Sequence, residues 1–247
     1  MLYKKQLCFF VLMCAVLLFV VGCSEDEESP VKPTPKTEPP EFQLRDITFP
    51  DKMKNSTDEK AQLAMTVIQG AMSFEGTGCI FAPPSGAEVL AETQTAWEYS
   101  WQEGNLTKRL AITSLTSINQ RKWQIYYTGS ADGITYEDNW RFMDAGQTTD
   151  LGGGHVYVYK PNTKQIINEW TWRTESGKYT FETYDYSTPK LNIEIIINSN
   201  KSGKVERFVP SATGVMMHDL LISWDKNGNG SWWTYESGVT TGSGTWE

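Results

Sequence analysis

Lys122-Trp123-Gln124-Ile125-Tyr126-Tyr127 alternates polar and large apolar side chains with a period of two. Successive side chains of an extended strand point to opposite sides, so Trp123, Ile125 and Tyr127 share one face. The same period continues in both directions. Trp97, Tyr99 and Trp101 precede it; Ile134, Tyr136 and Trp140, then Ile166, Trp170 and Trp172, Tyr179 and Phe181, Leu191, Ile193, Ile195 and Ile197, and Leu220, Ile222 and Trp224 follow. Turn signals separate these sets: Glu103-Gly104-Asn105, Asp132-Gly133, Gly152-Gly153-Gly154, Pro161-Asn162, Ser176-Gly177 and Ser202-Gly203. Ten tryptophans, eleven tyrosines and ten phenylalanines suit strands better than helices. From Thr95 onward no helical pattern intervenes, which predicts a mainly β fold: an antiparallel meander of about ten to twelve strands. A meander of that length must curl or close to hide its edges, so a barrel or curved half-barrel is expected, with a two-sheet sandwich as the competitor.

One helix is expected ahead of the strands, over residues 56–74. Ser56 followed by Glu59 has the spacing of a capping box, and Ala61, Ala64, Met65, Ile68, Ala71 and Met72 recur on one face. Gly76 and Gly78 would stop it, and Pro83-Pro84 bar its continuation. Such a helix would pack as a lid or plug against the sheet.

The first 22 residues have a different character. Lys4 and Lys5 are followed by an apolar run from Leu7 to Val21 and by Gly22, the order of a secretory signal, with an apolar stretch shorter than a comfortable membrane span. Val20-Val21-Gly22-Cys23 resembles the lipobox of bacterial lipoproteins. That resemblance implies cleavage after Gly22, lipidation of the Cys23 thiol and tethering to a membrane, most simply the outer membrane. Ser24-Glu25-Asp26-Glu27-Glu28 also resembles the export signal that takes some such lipoproteins to the cell surface, although a charged run also serves simply to keep a tether solvated. Pro30, Pro33, Pro35, Pro39 and Pro40 are five of the chain's eleven prolines. Residues 23–45 therefore read as an extended, semi-rigid tether and 46–247 as a single β domain.

Removing residues 1–22 takes Lys4 and Lys5 away and moves the formal charge from −8 to −10. An acidic surface repels phosphate backbones, so no nucleic-acid partner is expected. Cys79 would be the only cysteine left unlipidated, without a disulfide partner, and is expected as a small buried apolar residue.

Near the C terminus Gly228-Asn229-Gly230-Ser231-Trp232 recurs as Gly242-Ser243-Gly244-Thr245-Trp246, each copy reading as a turn that leads into a strand. Residues 232–246 are similar to one hairpin of the MORN repeat. The rest of that signature is absent, so the similarity implies a hairpin and no function.

Asp225, Asn227, Asn229 and Glu236 have the spacing of an EF-hand calcium loop, with Gly230 at the bend. The flanking sequence reads as strands where an EF-hand needs helices, so a plain Asn/Gly turn competes with a calcium site. No other cofactor is expected. His155 and His218 are the only histidines, and no cysteine–histidine cluster could hold zinc. No nucleophile elbow, phosphate loop or dinucleotide fingerprint occurs. Glu169, Glu182, Asp185 and Glu194 lie on expected strands, but strand alternation alone places no two or three of them together as a glycosidase pair.

The aromatic load remains. Several strands carry rings on both faces: Tyr157 and Tyr159 alternate with Val156 and Val158, Tyr184 and Tyr186 lie opposite Phe181, and Tyr126 adjoins Tyr127. One filled core does not need both sets, which predicts a second aromatic surface. The expected function is non-catalytic binding of a lipid or other apolar ligand by Trp97, Trp101, Trp123, Tyr157, Tyr159, Trp170 and Trp172. In outline this resembles the half-barrel carriers of lipids and lipoproteins in the bacterial envelope. Capture of a surface glycan, or adhesion, is the alternative; a closed, dry interior favours the first and an exposed row of rings the second.

Overall fold

The computed structural model describes residues 38–74, 79–187 and 190–247. The signal segment, Cys23 and the acidic run after it lie outside the described residues. Lys36–Glu247 form one compact unit. Its helices are α1 (Asp51–Lys54) and α2 (Glu59–Ala71). The first strands are β1 (Glu88–Glu92), β2 (Ala96–Glu103), β3 (Leu106–Leu115), β4 (Gln120–Ala131), β5 (Ile134–Thr148) and β6 (Gly153–Tyr159). After them come β7 (Ile166–Glu175), β8 (Lys178–Asp185), β9 (Leu191–Asn198), β10 (Gly203–Pro210), β11 (Met216–Trp224), β12 (Gly230–Glu236) and β13 (Val239–Trp246).

All thirteen strands belong to one antiparallel sheet in which each pairs with its neighbours in sequence. The meander is as expected, and β1 is the strand that the alternation starting at Thr95 did not include. The sheet is open, because β1 pairs with β2 alone and β13 with β12 alone. Tight turns set the register. Asp132-Gly133, Ser176-Gly177 and Ser237-Gly238 each place two consecutive residues at positive φ, the two-residue turn whose twist matches that of paired strands.

One face of the sheet carries the core. Trp97, Trp123, Ile125, Val156, Trp170, Trp172, Phe181, Ile195, Ile222 and Trp224 are buried there, together with Met53, Ala61, Ala64 and Ile68 from the helices. The sheet bends around this filling. The Phe42 ring lies 5.2 Å from Trp123 on β4 and 6.0 Å from Trp172 on β7. Those two tryptophans are thus no more than about 11 Å apart, where a flat sheet would separate their strands by roughly 14 Å. A curved half-barrel with the helices on its inner side accounts for the convergence.

Phe42 and Leu44 also move the domain boundary, since both pack against the core from the stretch that composition assigns to the tether. Phe42 stacks on Phe81 at 3.9 Å and meets Phe74 edge-on, and the Gln147 side-chain amide donates to the Gln43 carbonyl. Helix α2 is shorter than expected and starts differently. Its N-cap is Asp58, whose carboxylate accepts from the Lys60 and Ala61 N–H groups, while Ser56 Oγ accepts from Asp58 N–H. The Ser56–Glu59 capping box therefore does not form: a carboxylate two residues later satisfies the same free N–H groups. Among the described residues no helix is long and apolar enough to cross a membrane.

The second Gly-x-Gly-x-Trp copy is also not what its sequence suggests. Gly242 and Gly244 lie inside β13, and the turn before them is Ser237-Gly238. The glycines instead make room for rings. Gly230 pairs across strands with Trp246, and Trp232 pairs with Gly244; a β-carbon at either glycine would overlap the facing indole. Gly154 under Trp172 and Gly203 under Trp224 repeat the arrangement.

Gly230→Ala should therefore destabilise the domain by about 1–3 kcal/mol, through overpacking alone. Gly70, on α2, has nothing within 4 Å of the position a β-carbon would take. Gly70→Ala should instead stabilise the domain by about 0.5–1 kcal/mol. Denaturant melts of the two variants would show opposite signs; a neutral Gly230→Ala would mean that the indole is not seated on that glycine.

Candidate functional site

The outer face of the sheet, away from the helices, carries a belt of tyrosines and ionisable groups. Tight turns and direct pairing bring side chains from consecutive strands into rows. One row runs Gly146, His155, Thr171, Glu182, Glu194, Glu206 from β5 to β10. The next runs Asp144, Tyr157, Glu169, Tyr184, Asn192, Phe208, and His218 on β11 pairs with Phe208. Both histidines of the chain thus lie on this face.

The rows bring together carboxylates that strand alternation alone had kept apart. Glu182, Glu194 and Glu206 occupy directly paired positions on three adjacent strands. Like charges so placed repel. Two cations counter this: Lys204 pairs with Glu206, and Arg173 lies 3.7 Å from Glu182; His218 Nε2 also stands 3.6 Å from Glu206 Oε1. Burial, then the charges of Glu206 and Glu182 against the opposing pull of Lys204, hold the Glu194 carboxyl above its ordinary range.

Asp144 anchors the other end of the belt. Its side chain is 9% exposed and accepts from Arg141 at 2.7 Å and from Gln124 at 3.1 Å. Lys122 and His155 lie 3.7 and 3.9 Å from its other oxygen. Burial would raise this carboxyl; His155, Lys122, Gln124 and Arg141 outweigh it and hold the group below the ordinary range.

Between these anchors stand the tyrosines. His155 stacks on Tyr157 at 4.5 Å, Arg141 covers Tyr159 at 5.3 Å, and Tyr184 and Tyr186 are nearly parallel, 11° apart, with centroids 6.0 Å apart. Hydroxyls fix the rings: Tyr186 donates to Glu169 at 2.8 Å and Tyr184 to Glu182 at 3.3 Å. Burial and then the accepting Glu169 carboxylate push the Tyr186 hydroxyl up to about 12, so it remains a donor throughout the physiological range. Tyr126 extends the set, with Arg109 over its ring at 4.2 Å.

The seven residues expected to bind a ligand consequently divide between two faces. Trp97, Trp123, Trp170 and Trp172 are core residues; Trp123 and Trp172 meet Phe42, and the Trp170 indole N–H donates to the Ala71 carbonyl at the end of α2. Trp101 is half-buried at the end of β2, its N–H directed to Glu103. Tyr157 and Tyr159 lie on the outer face. Tyr184 and Tyr186, noted in the sequence only as rings opposite Phe181, belong with them. Glu169, Glu182, Asn192, Glu194, Glu206 and His218 join them through a register that alternation within a single strand does not reveal.

The stretch with EF-hand spacing is a hairpin turn. Asp225 Oδ1 accepts from the N–H groups of Asn227 and Asn229, and Asn229 Nδ2 donates to Asp225 Oδ2. Slight burial of the Asp225 carboxylate is outweighed by these bonds, which lower its protonation range. Glu236 stands at the far end of β12, and a strand of that length carries it roughly 20 Å from the turn, so the twelfth-position ligand does not return. Among the described residues no group of three or more His, Cys, Asp or Glu side chains is placed to hold a metal ion. Cys79 is half-buried and packs against the core.

No protein-family model matches the chain, and no curated protein matches it.

Proposed function

We propose that this is a lipid-anchored envelope protein whose outer sheet face binds a carbohydrate chain without chemically altering it. One observation carries the reading: Tyr157 on β6, Tyr184 on β8 and Tyr186 just beyond it stand on the sheet face that the core does not use, and Tyr159, which also packs against the core edge, adjoins them. Glu169 lies between Tyr157 and Tyr184, Glu182 in the neighbouring row, and Asn192 on the far side of Tyr184. Rings on a solvent face contribute little to folding, but they offer flat apolar surfaces to the C–H faces of sugar rings, while fixed carboxylate and amide oxygens accept from hydroxyl pairs. Hydroxyl–carboxylate bonds hold Tyr184 and Tyr186 in place before any ligand arrives, so little side-chain entropy would be lost on binding.

The placement of rings favours this reading over a lipid carrier. The tryptophans that would line a lipid trough are instead part of the packed core: Trp123 and Trp172 meet Phe42, and Trp170 donates to the Ala71 carbonyl at the end of α2. The lipid anchor is supported by Val20-Val21-Gly22-Cys23 and by the proline-rich stretch that follows.

The test is a glycan array probed with the full-length protein, followed by titration of each hit against Tyr186→Ala and Tyr184→Ala. Each truncation should weaken binding by roughly two- to twelve-fold, the value of one lost stacking contact, and Tyr186→Ala should change melting little because Tyr186 is 40% exposed. An array without hits, or hits indifferent to both tyrosines, would remove the proposal.

A further inference from the structure

At one end of the tyrosine face, the β4–β5 hairpin projects past β6 and meets the turn between β6 and β7. Glu137, Trp140, Arg141, Tyr159, Asn162, Thr163 and Lys164 enclose a cleft of about 390 Å³ there, within the range of small-molecule sites.

Its walls are fixed. Asn162 Nδ2 donates to the Thr135 carbonyl and its Oδ1 accepts from Glu137 N–H, while the Trp140 indole N–H donates to the Thr163 carbonyl. The Trp140 side rests on an aromatic stack, with Tyr136 nearly parallel at 5.1 Å and Tyr127 at 5.9 Å. The cleft is thus preformed rather than assembled around a ligand.

Its charge differs from that of the rest of the chain. The protein carries a formal −8, and the adjoining face presents Glu169, Glu182, Glu194 and Glu206. The cleft, by contrast, is lined by Arg141 and Lys164 against Glu137, with Asp144 behind Arg141 as its counter-ion. Arg141 is held in orientation by Asp144 through one guanidinium nitrogen and by the Tyr159 ring beneath it. The remaining N–H groups of that fork suit a carboxylate, and Lys164 stands exposed on the facing turn. A polyanion would be repelled by the row of glutamates, whereas a neutral chain would leave Lys164 and the remaining N–H groups of Arg141 without an acceptor of opposite charge.

We infer that this cleft receives a carboxylate-bearing sugar, of the uronic or sialic acid class, at the end of a glycan whose neutral residues run on over Tyr157, Tyr184 and Tyr186. The inference rests on the carbohydrate reading above. Trp140 and Tyr159 would contact the sugar ring, with Arg141 and Lys164 on its carboxylate.

The test titrates the full-length protein with glucuronic acid, N-acetylneuraminic acid and glucose, followed by ligand-observed NMR. At least one acid should bind roughly ten-fold more tightly than glucose, as expected for one charge-assisted pair, and that advantage should fall with added salt. Lys164→Glu, on an exposed turn, should abolish the advantage, and Arg141→Lys, which keeps the charge but loses the fork, should reduce it. Acids and glucose binding alike, or an advantage that survives both substitutions, would overturn the inference. If array glycans bind through the tyrosines while neither acid is preferred, the cleft assignment alone falls. If neither the array nor the three sugars bind, the carbohydrate reading falls with it.

Discussion

In cells fed labelled palmitate, the Cys23→Ala variant should carry no label, retain its leader and leave the fraction of mature, lipid-anchored protein, while the native chain is labelled. The effect should be all or none, because on the lipobox reading the Cys23 thiol is the atom alkylated and no other cysteine is placed to replace it. Cys8 and Cys14 lie inside the apolar run of the leader, and Cys79 packs half-buried against the core. The lipid implied by the lipobox is a diacylglycerol. Two acyl chains suffice for stable anchoring where one gives only marginal binding, so losing them removes the membrane affinity rather than weakening it. Cys79→Ala is the control and should label as the native chain does. Label on Cys23→Ala, or none on the native chain, would refute the anchor. A loss of label would also bear on the outer face, since a tethered domain gains local concentration against ligands fixed to the same surface.

The meander could be read in the sequence because each strand carries its own period-two pattern and its own turn chemistry. Ile193, Ile195 and Ile197 declare a buried face without help from any other strand, and Asp132-Gly133 declares a two-residue turn. β1 escaped that reading for a local reason: all of Glu88–Glu92 is exposed, so no buried face imposes an alternation on it. The Gly244–Trp232 contact escaped because a glycine in a turn and a glycine beneath an indole look alike in one dimension. The candidate site was legible in part. Rings on both faces of β6 and β8 pointed to a second surface, yet the acids that complete it, Glu182, Glu194 and Glu206, come from three strands. Their meeting depends on pairing register, which turn lengths and bulges set jointly and no single strand encodes.

Trp123→Ala should cost about 3–5 kcal/mol, because the ring is fully buried and its removal leaves a cavity as well as losing apolar burial. For a domain of this size that corresponds to a fall in Tm of roughly 8–15 °C. Trp123 pairs with Ile112 on β3 and Ala145 on β5, and Phe42 meets it edge-on at 5.2 Å. Its indole N–H has no acceptor among the described residues, so packing alone supplies the stabilisation. The experiment also separates the two uses that the aromatic load could serve. If the inner face were a trough for lipid, its lining would be free to move, truncation of Trp123 would cost little stability, and bound lipid would change. With the trough filled by α2 and the Phe42 segment, truncation should instead lower Tm sharply and leave glycan binding at the outer face intact at temperatures where the variant is folded. Phe42→Ala should act in the same direction with a smaller effect, since Phe42 is only half-buried and comes from a segment without regular structure. A Trp123→Ala protein that melts like the native chain would mean that the inner face is not a packed core, and would return the lipid-carrier reading to first place.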